Sequence, residues 1–309
     1  MAGREISTPA GRSWVQRAAE SLFFTLFPSD CRLCGEPQLN VSRLPVCPEC
    51  LARIHPIRGK VCSICGERVF SAYAASDPSG QRRCPVCRRA ARPFARAAAY
   101  GSYDGELRGL IHLLKYDGVR PAAGVLGRVL GETIAAMEPA FERGTVMVIP
   151  VPLYKTKRRQ RGFNQAELIA LSALKVAGSK RLQLATGVLL RTRETESQIG
   201  LTAHARRENL RGAFAVPRTA EVTGRDVLLV DDVYTTGTTV SECARVLRRA
   251  GAAQVWVATV ARTLKLASQL GKIEPEEVEE EGSKVSEFQG FEGEGEAPVE
   301  SGNLETLKP

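Results

Sequence analysis

The chain has 309 residues, of which 43% are hydrophobic and 25% charged, and its formal net charge is +9. That length allows about two domains with a sizeable core, the composition is that of an ordinary folded soluble protein, and no apolar run approaches the roughly 20 residues of a membrane-spanning helix. The charge is uneven: Glu274 to Pro309 holds twelve Glu and two Lys, which leaves residues 1–273 with 41 Lys and Arg against 22 Asp and Glu, a body suited to phosphate, pyrophosphate or nucleic acid.

In chain order, residues 1–27 read as a leader ending in a short helix. Ser21–Phe27 (SLFFTLF) is apolar but brief, and Pro28 and a cysteine follow where a secretory signal would have a small-residue cleavage site. A docked helix and a cytoplasmic chain are expected. Residues 28–92 form a cysteine-rich module with scattered Pro and Gly. Its pairs are Cys31/Cys34, Cys47/Cys50, Cys62/Cys65 and Cys84/Cys87, each C-x-x-C. Two sulfurs so spaced bite one ion, and two bites close a tetrahedral thiolate site of the structural-zinc type. Disulfides fit a chain without a secretory signal poorly, and regular pairing favours zinc over an iron–sulfur cluster. Sequential pairing is the simplest arrangement; crossed pairing and a single occupied site remain open. Gly35 and Gly66 follow two of the pairs and are expected to turn backbone N–H groups toward sulfur. Cys243 reads as a small buried residue of a later helix.

Residues 93–265 alternate strand and helix patterns, the signature of an α/β layer fold. Strands are expected at 95–103, 146–151, 187–191, 226–230 and 254–261. In Gly105–Lys115, Leu107, Leu110, Ile111 and Leu114 share one helical face. Further helices are expected at 121–137, 165–176, 202–210 and 239–250, the first opened by Pro121. Residues 266–309, rich in Glu and Gly, are expected to be disordered.

The most specific signal is Val227–Thr239 (VLLVDDVYTTGTT). Asp231 and Asp232 stand at the carboxyl end of a buried strand, the usual ligand end of an open α/β sheet. Thr235, Thr236, Gly237, Thr238 and Thr239 then offer hydroxyls and unhindered N–H groups at a helix N-terminus, a nest for a monophosphate. Two carboxylates beside a phosphate need another contact. Vicinal ribose hydroxyls, met directly or through a divalent metal, supply it. Upstream, Pro150–Asn164 (PVPLYKTKRRQRGFN) reads as a basic loop whose Lys155, Lys157, Arg158, Arg159 and Arg161 suit pyrophosphate. Arg191–Phe214 adds Thr195, Gln198, Arg206, Arg207 and Asn209 as a possible lid over a charged substrate.

Val227–Thr239 resembles the 5-phosphoribosyl-1-pyrophosphate (PRPP) motif of type I phosphoribosyltransferases. The resemblance implies Asp231 and Asp232 on the ribose, Thr235 to Thr239 on the 5′-phosphate, and Mg²⁺ arriving with PRPP. Members acting on purine bases often carry an acid where this chain has Thr235, which argues against purine salvage. Taken with Leu22–Gly35, Leu114–Gly118 (LKYDG), Arg161–Glu167 (RGFNQAE), and Ser197–Leu201 with Arg207, Asn209 and Phe214, the chain closely resembles the competence protein F (ComF) family over about residues 20–263. That implies a mostly parallel, type I phosphoribosyltransferase-like sheet flanked by helices, preceded by a small double zinc-ribbon-like module, and a role in DNA uptake or use. Two functions follow as expectations. One is an enzyme-like PRPP site with Arg158, Arg159 and Arg161 near the pyrophosphate and an acceptor the sequence does not reveal. The other is a module binding single-stranded DNA or a recombination partner, in which Arg82, Arg83, Arg88, Arg89 and Arg92 contact phosphates and the PRPP site is sensing or vestigial.

Overall fold

The computed structural model describes residues 29–38, 42–69, 81–142, 144–195 and 203–264. The leader 1–27, the Glu-rich tail 266–309 and the Ser197–Leu201 stretch with Gln198 lie outside the described residues, as do the side chains of Arg206 and Arg207.

The cysteine-rich segment contains strands β1 (Ser29–Asp30) and β2 (Pro37–Gln38), paired antiparallel, and two short helices, α1 (Pro48–Ala52) and α2 (Pro85–Arg89). Each helix opens with a proline directly after a cysteine, at the position where the missing N–H costs nothing. Beyond it come β3 (Arg96–Ser102), α3 (Gly105–Lys115), α4 (Ala122–Met137), β4 (Val146–Pro150), α5 (Lys155–Arg161), α6 (Gln165–Ala177) and β5 (Leu182–Leu184). The chain continues through β6 (Leu190–Arg191), α7 (Ala203–Leu210), β7 (Phe214–Ala215), β8 (Asp226–Tyr234), α8 (Thr238–Arg249) and β9 (Gln254–Arg262). Five strands form an all-parallel sheet in the order β3-β9-β8-β4-β5, and β6 pairs with β7 in a separate antiparallel ladder.

Helices on both faces force the central strands to be apolar on both sides. Along β8, Leu228 and Val230 pack into one core while Val227 and Leu229 pack into the other, all four fully buried. The first core is capped by α3, α4 and α6. Gly127 and Gly131, one turn apart on α4, let α6 approach so closely that a Cβ at Gly127 would meet Ser172 and one at Gly131 would touch Ala173 and Val176. The second core lies under α8. The cysteine segment joins both: Cys31, Cys47 and Cys50 belong to the first core, and Cys62, Cys65, Cys84 and Cys87 to the second.

Two expectations change. The basic segment after β4 is the helix α5, closed by Gly162 at φ 77°, not a loop. Straight-chain Lys, Arg and Gln favour that conformation, and Gly162 supplies the left-handed residue that ends it. The strand bearing the acidic pair also runs on to Tyr234, because β9 keeps pairing with it through Asp231↔Thr259, Val233↔Ala261 and Tyr234↔Arg262.

Candidate functional site

Chain connectivity locates the crevice. From β4 the chain crosses outward to β5, whereas from β8 it crosses the other way to β9, although β4 and β8 are neighbours. Connections that part in opposite directions leave a crevice beyond the carboxyl ends of the strands between them. The segment following β4 is the basic helix α5, and the segment following β8 is Thr235–Gly237, which enters α8. The topology thus brings cations and a helix N-terminus to one place.

Gly237 is the N-cap of α8 at φ 76°, a left-handed conformation that favours glycine, and a Cβ there would also run into the Tyr234 phenol. Thr235 and Thr236 are exposed, and Thr236 Oγ1 lies 2.7 Å from Thr238 Oγ1. Thr238 and Thr239 stand half-buried in the first turn, whose N–H groups and dipole favour an anion.

The acidic pair is asymmetric. Asp232 is buried and meets Lys115 Nζ at 2.8 Å. Burial opposes the ammonium, yet the Asp232 carboxylate outweighs it and holds the Lys115 pKa above its ordinary value. Asp231 accepts the Asp232 backbone N–H at 2.9 Å. Burial first, then the neighbouring Asp232 charge, pushes the Asp231 pKa up to about 7. Asp232 is therefore neutralised by the protein, while Asp231 lacks an equivalent counter-ion.

The cations are sorted by helix phase. Arg161 donates to Gln165 and lies 5.9 Å from the Tyr116 ring centroid, and Lys157 stands one turn before it. Burial and the charges of Arg161, Arg191 and Lys115 lower the Lys157 pKa, so these cations crowd one another. Arg191, half-buried, stacks 5.5 Å over Phe214 and donates to Thr195, and burial lowers its pKa. Arg158 instead reaches Glu167 of α6 at 3.6 Å, and Arg159 is exposed. Like charges gathered this closely repel one another, and an anionic ligand placed among them relieves that repulsion. Asn164 fixes α6 beside β4: its side chain caps Ala166 N and donates to the Val151 carbonyl, both at 3.1 Å. Asn209 is tied into the same region through its carbonyl, which accepts from Arg193 at 2.9 Å. Reasoning from sequence singled out neither Lys115 nor Arg191 for this site. The available signal was LKYDG, a lysine at the end of an otherwise apolar-faced helix.

The cysteines form two sets, Cys31/Cys34/Cys47/Cys50 and Cys62/Cys65/Cys84/Cys87, with the four sulfurs of each within 4.8 Å of one another, so the pairing is sequential. Sulfurs at the corners of a tetrahedron around zinc, with Zn–S of about 2.3 Å, stand about 3.8 Å apart, whereas a disulfide needs about 2.0 Å. The Cys31–Cys50 separation is 3.9 Å, and Cys34–Cys47 and Cys65–Cys84 are 3.7 Å. Both sets fit structural zinc. Gly35 and Gly66, at φ 80° and 72°, close the turns with their own N–H groups on the Cys31 and Cys62 carbonyls at 2.8 and 2.9 Å, and the backbone N–H groups of Leu33 and Cys34 face the Cys31 sulfur. Cys47 N also donates to the Cys31 sulfur at 3.3 Å and Cys50 N to the Cys47 sulfur at 3.4 Å. His55 belongs to neither set and Cys243 is buried in α8.

Two family models match, a double zinc ribbon domain over residues 22–88 and a phosphoribosyl transferase domain over residues 169–291. Fold and site together define a double-zinc-ribbon protein with a phosphoribosyltransferase-type α/β layer. The DNA utilization protein YhgH of Shigella flexneri is 33% identical over 238 residues, 77% of this chain and 98% of that protein. Competence protein F of Haemophilus influenzae is 28% identical with 70% and 96% covered, and competence protein ComFC of Bacillus subtilis 25% with 67% and 80%. The chain belongs to the ComF family of competence and DNA utilization proteins. Among the described residues no helix is long and apolar enough to cross a membrane.

Proposed function

We propose that the crevice binds PRPP or a related ribose 5-phosphate in the service of DNA uptake or use. The observation that carries this reading is the convergence, at the point where β4 and β8 diverge, of the Thr235–Thr239 loop, the Asp231/Asp232 pair and the cations of α5. Thr235, Thr236, Gly237, Thr238 and Thr239 take the 5′-phosphate, and Asp231 and Asp232 take the ribose hydroxyls. Arg161 takes the pyrophosphate with Lys157 and Arg191 beside it, while Arg158 and Arg159 flank it from outside. Mg²⁺ bound with the ligand would offset phosphate charge, and Asp231, without a full counter-ion, is the residue on this chain fitted to face it. Transfer at such a site breaks the bond from the anomeric carbon to pyrophosphate, which leaves with the electron pair while an acceptor bonds to that carbon; fixed positive charge stabilises the departing oxygens. The zinc ribbons suit a reducing, cytoplasmic compartment.

Calorimetry with PRPP and Mg²⁺ tests the assignment. Wild-type protein loaded with zinc is expected to bind, and Asp231→Asn/Asp232→Asn to lose binding; no heat from the wild type overturns the reading.

A second reading rests on Arg82, Arg88 and Arg89, which stand exposed on the second ribbon. We infer that this face contacts the phosphates of single-stranded DNA. Neutralising three phosphates of a single strand gives a binding constant that falls about 100-fold per decade of salt. Electrophoretic shifts across a salt series that show a flat or absent response would remove this reading.

A further inference from the structure

The second cysteine set is joined to the phosphate loop by an unbroken line of buried groups. Arg262, the last residue of β9, is 3% exposed. One nitrogen meets Glu67 Oε2 at 2.6 Å, and the other end donates to the carbonyl of Cys65. Glu67 is itself buried, and its carbonyl accepts the Cys62 N–H at 2.8 Å, so the acid that grips Arg262 belongs to the same turn as two metal ligands. The guanidinium lies 4.5 Å over the ring of Tyr234, the register partner of Arg262 on β8. Tyr234 is 3% exposed, and its hydroxyl, without a hydrogen-bond partner among the described residues, sits beneath the space where Gly237 would carry a Cβ. The loop cannot settle toward the sheet while that ring is held in place.

A cation enclosed in a core is ordinarily a poor stabiliser, since its desolvation offsets most of what its partner returns. Arg262 is enclosed all the same, and its contacts are divided between a thiolate turn and the support of a ligand loop. We propose that Glu67, Arg262 and Tyr234 are positioning residues that transmit the geometry of the Cys62/Cys65/Cys84/Cys87 ribbon to Gly237, so that this ribbon sets the affinity of the loop for a sugar 5′-phosphate. The inference rests on the proposed reading of the crevice and adds to it a division of labour: the second ribbon governs the phosphate end, while the pyrophosphate end stands on α5 and is independent of it.

The test compares ribose 5-phosphate and inorganic pyrophosphate by calorimetry on the full zinc-loaded chain. The variants are Glu67→Gln and the double variant Glu67→Gln/Arg262→Met, the second leaving no unpaired buried charge. Zinc content and Tm are measured alongside, and titrations are run well below the lowest Tm. With two zinc ions retained, affinity for ribose 5-phosphate is expected to fall about tenfold, while that for pyrophosphate stays within about twofold. Undiminished ribose 5-phosphate binding overturns the proposal, and so does an equal loss of both ligands, which is what general loosening would produce. Failure of the wild type to bind ribose 5-phosphate sinks the reading of the crevice itself, and this inference with it.

Discussion

Asp231 is unfavourable for the protein that carries it. Its pKa is pushed up to about 7, by burial first and the Asp232 charge second, against about 4 in an unfolded chain. The native state therefore holds a proton that the unfolded state has lost, so stability declines as pH rises from about 4 to about 7 and stays lower above that. Asp231→Asn removes the penalty. Its Tm is expected to match the wild type near about pH 4 and exceed it above about pH 7, each kcal/mol being worth about 2–4 °C in a chain this size. Scanning calorimetry over that range checks it; a pH-independent difference contradicts the assignment. Lys115 behaves oppositely. Lys115→Met strands the Asp232 carboxylate and is expected to cost about 3–5 kcal/mol, most of which Asp232→Asn in the same chain restores. Urea unfolding of the double-mutant cycle reads this directly. The acidic pair was legible because its place after an apolar strand is local information. Lys115 was not, since only the packing of α3 against the end of β8 sets it opposite Asp232.

The basic element after β4 shows what helix formation does to a charge run. Read as a loop, Arg158, Arg159 and Arg161 are equivalent; wound into α5, they point three ways. Arg161→Ala is expected to weaken pyrophosphate binding by about 1.5–3 kcal/mol, the worth of a charge-assisted hydrogen bond, and Arg159→Ala to leave it nearly unchanged. Equal losses in the two titrations would refute the sorting. The long elements were legible because apolar runs and one-sided helix faces repeat over many residues, as in α3 and β8. The two- and three-residue strands β5 and β7 are too short to show a period, whereas β6 falls inside the strand expected at 187–191, and the last four residues of β8 owe their extended form to pairing with β9. Close packing between α4 and α6 was equally hidden, since it depends on two glycines. Gly127→Val is expected to lower stability by about 1–3 kcal/mol through overpacking against Ser172, measured by urea titration.

Across the molecule the two ribbons are not a detachable appendage. One contributes to the core under α3, α4 and α6, the other to the core under α8. Leu33, between two ligands of the first set, fills the notch left by Gly109 on α3, and Arg53 ties Cys50 Sγ at 2.9 Å to Glu106 of the same helix. Stripping zinc with a strong chelator is therefore expected to lower the Tm of the sheet in one cooperative transition; two separate transitions in calorimetry would contradict this. The ribbon spacing and the α/β order could each be read from sequence, but their shared cores could not, because those contacts join residues far apart along the chain.

That distance has a consequence for how the protein is made. All eight thiols have been synthesised by residue 87, so both ribbons can take up metal while the ribosome is still adding the strands they are to support. Arg262 arrives last, on the strand that links β3 to β8, and it seeks Glu67 across 195 positions. Contacts of such separation close slowly. The growing chain thus carries a finished ribbon, and the sheet is assembled onto a metal-bound template in which Glu67 marks the place for the final strand.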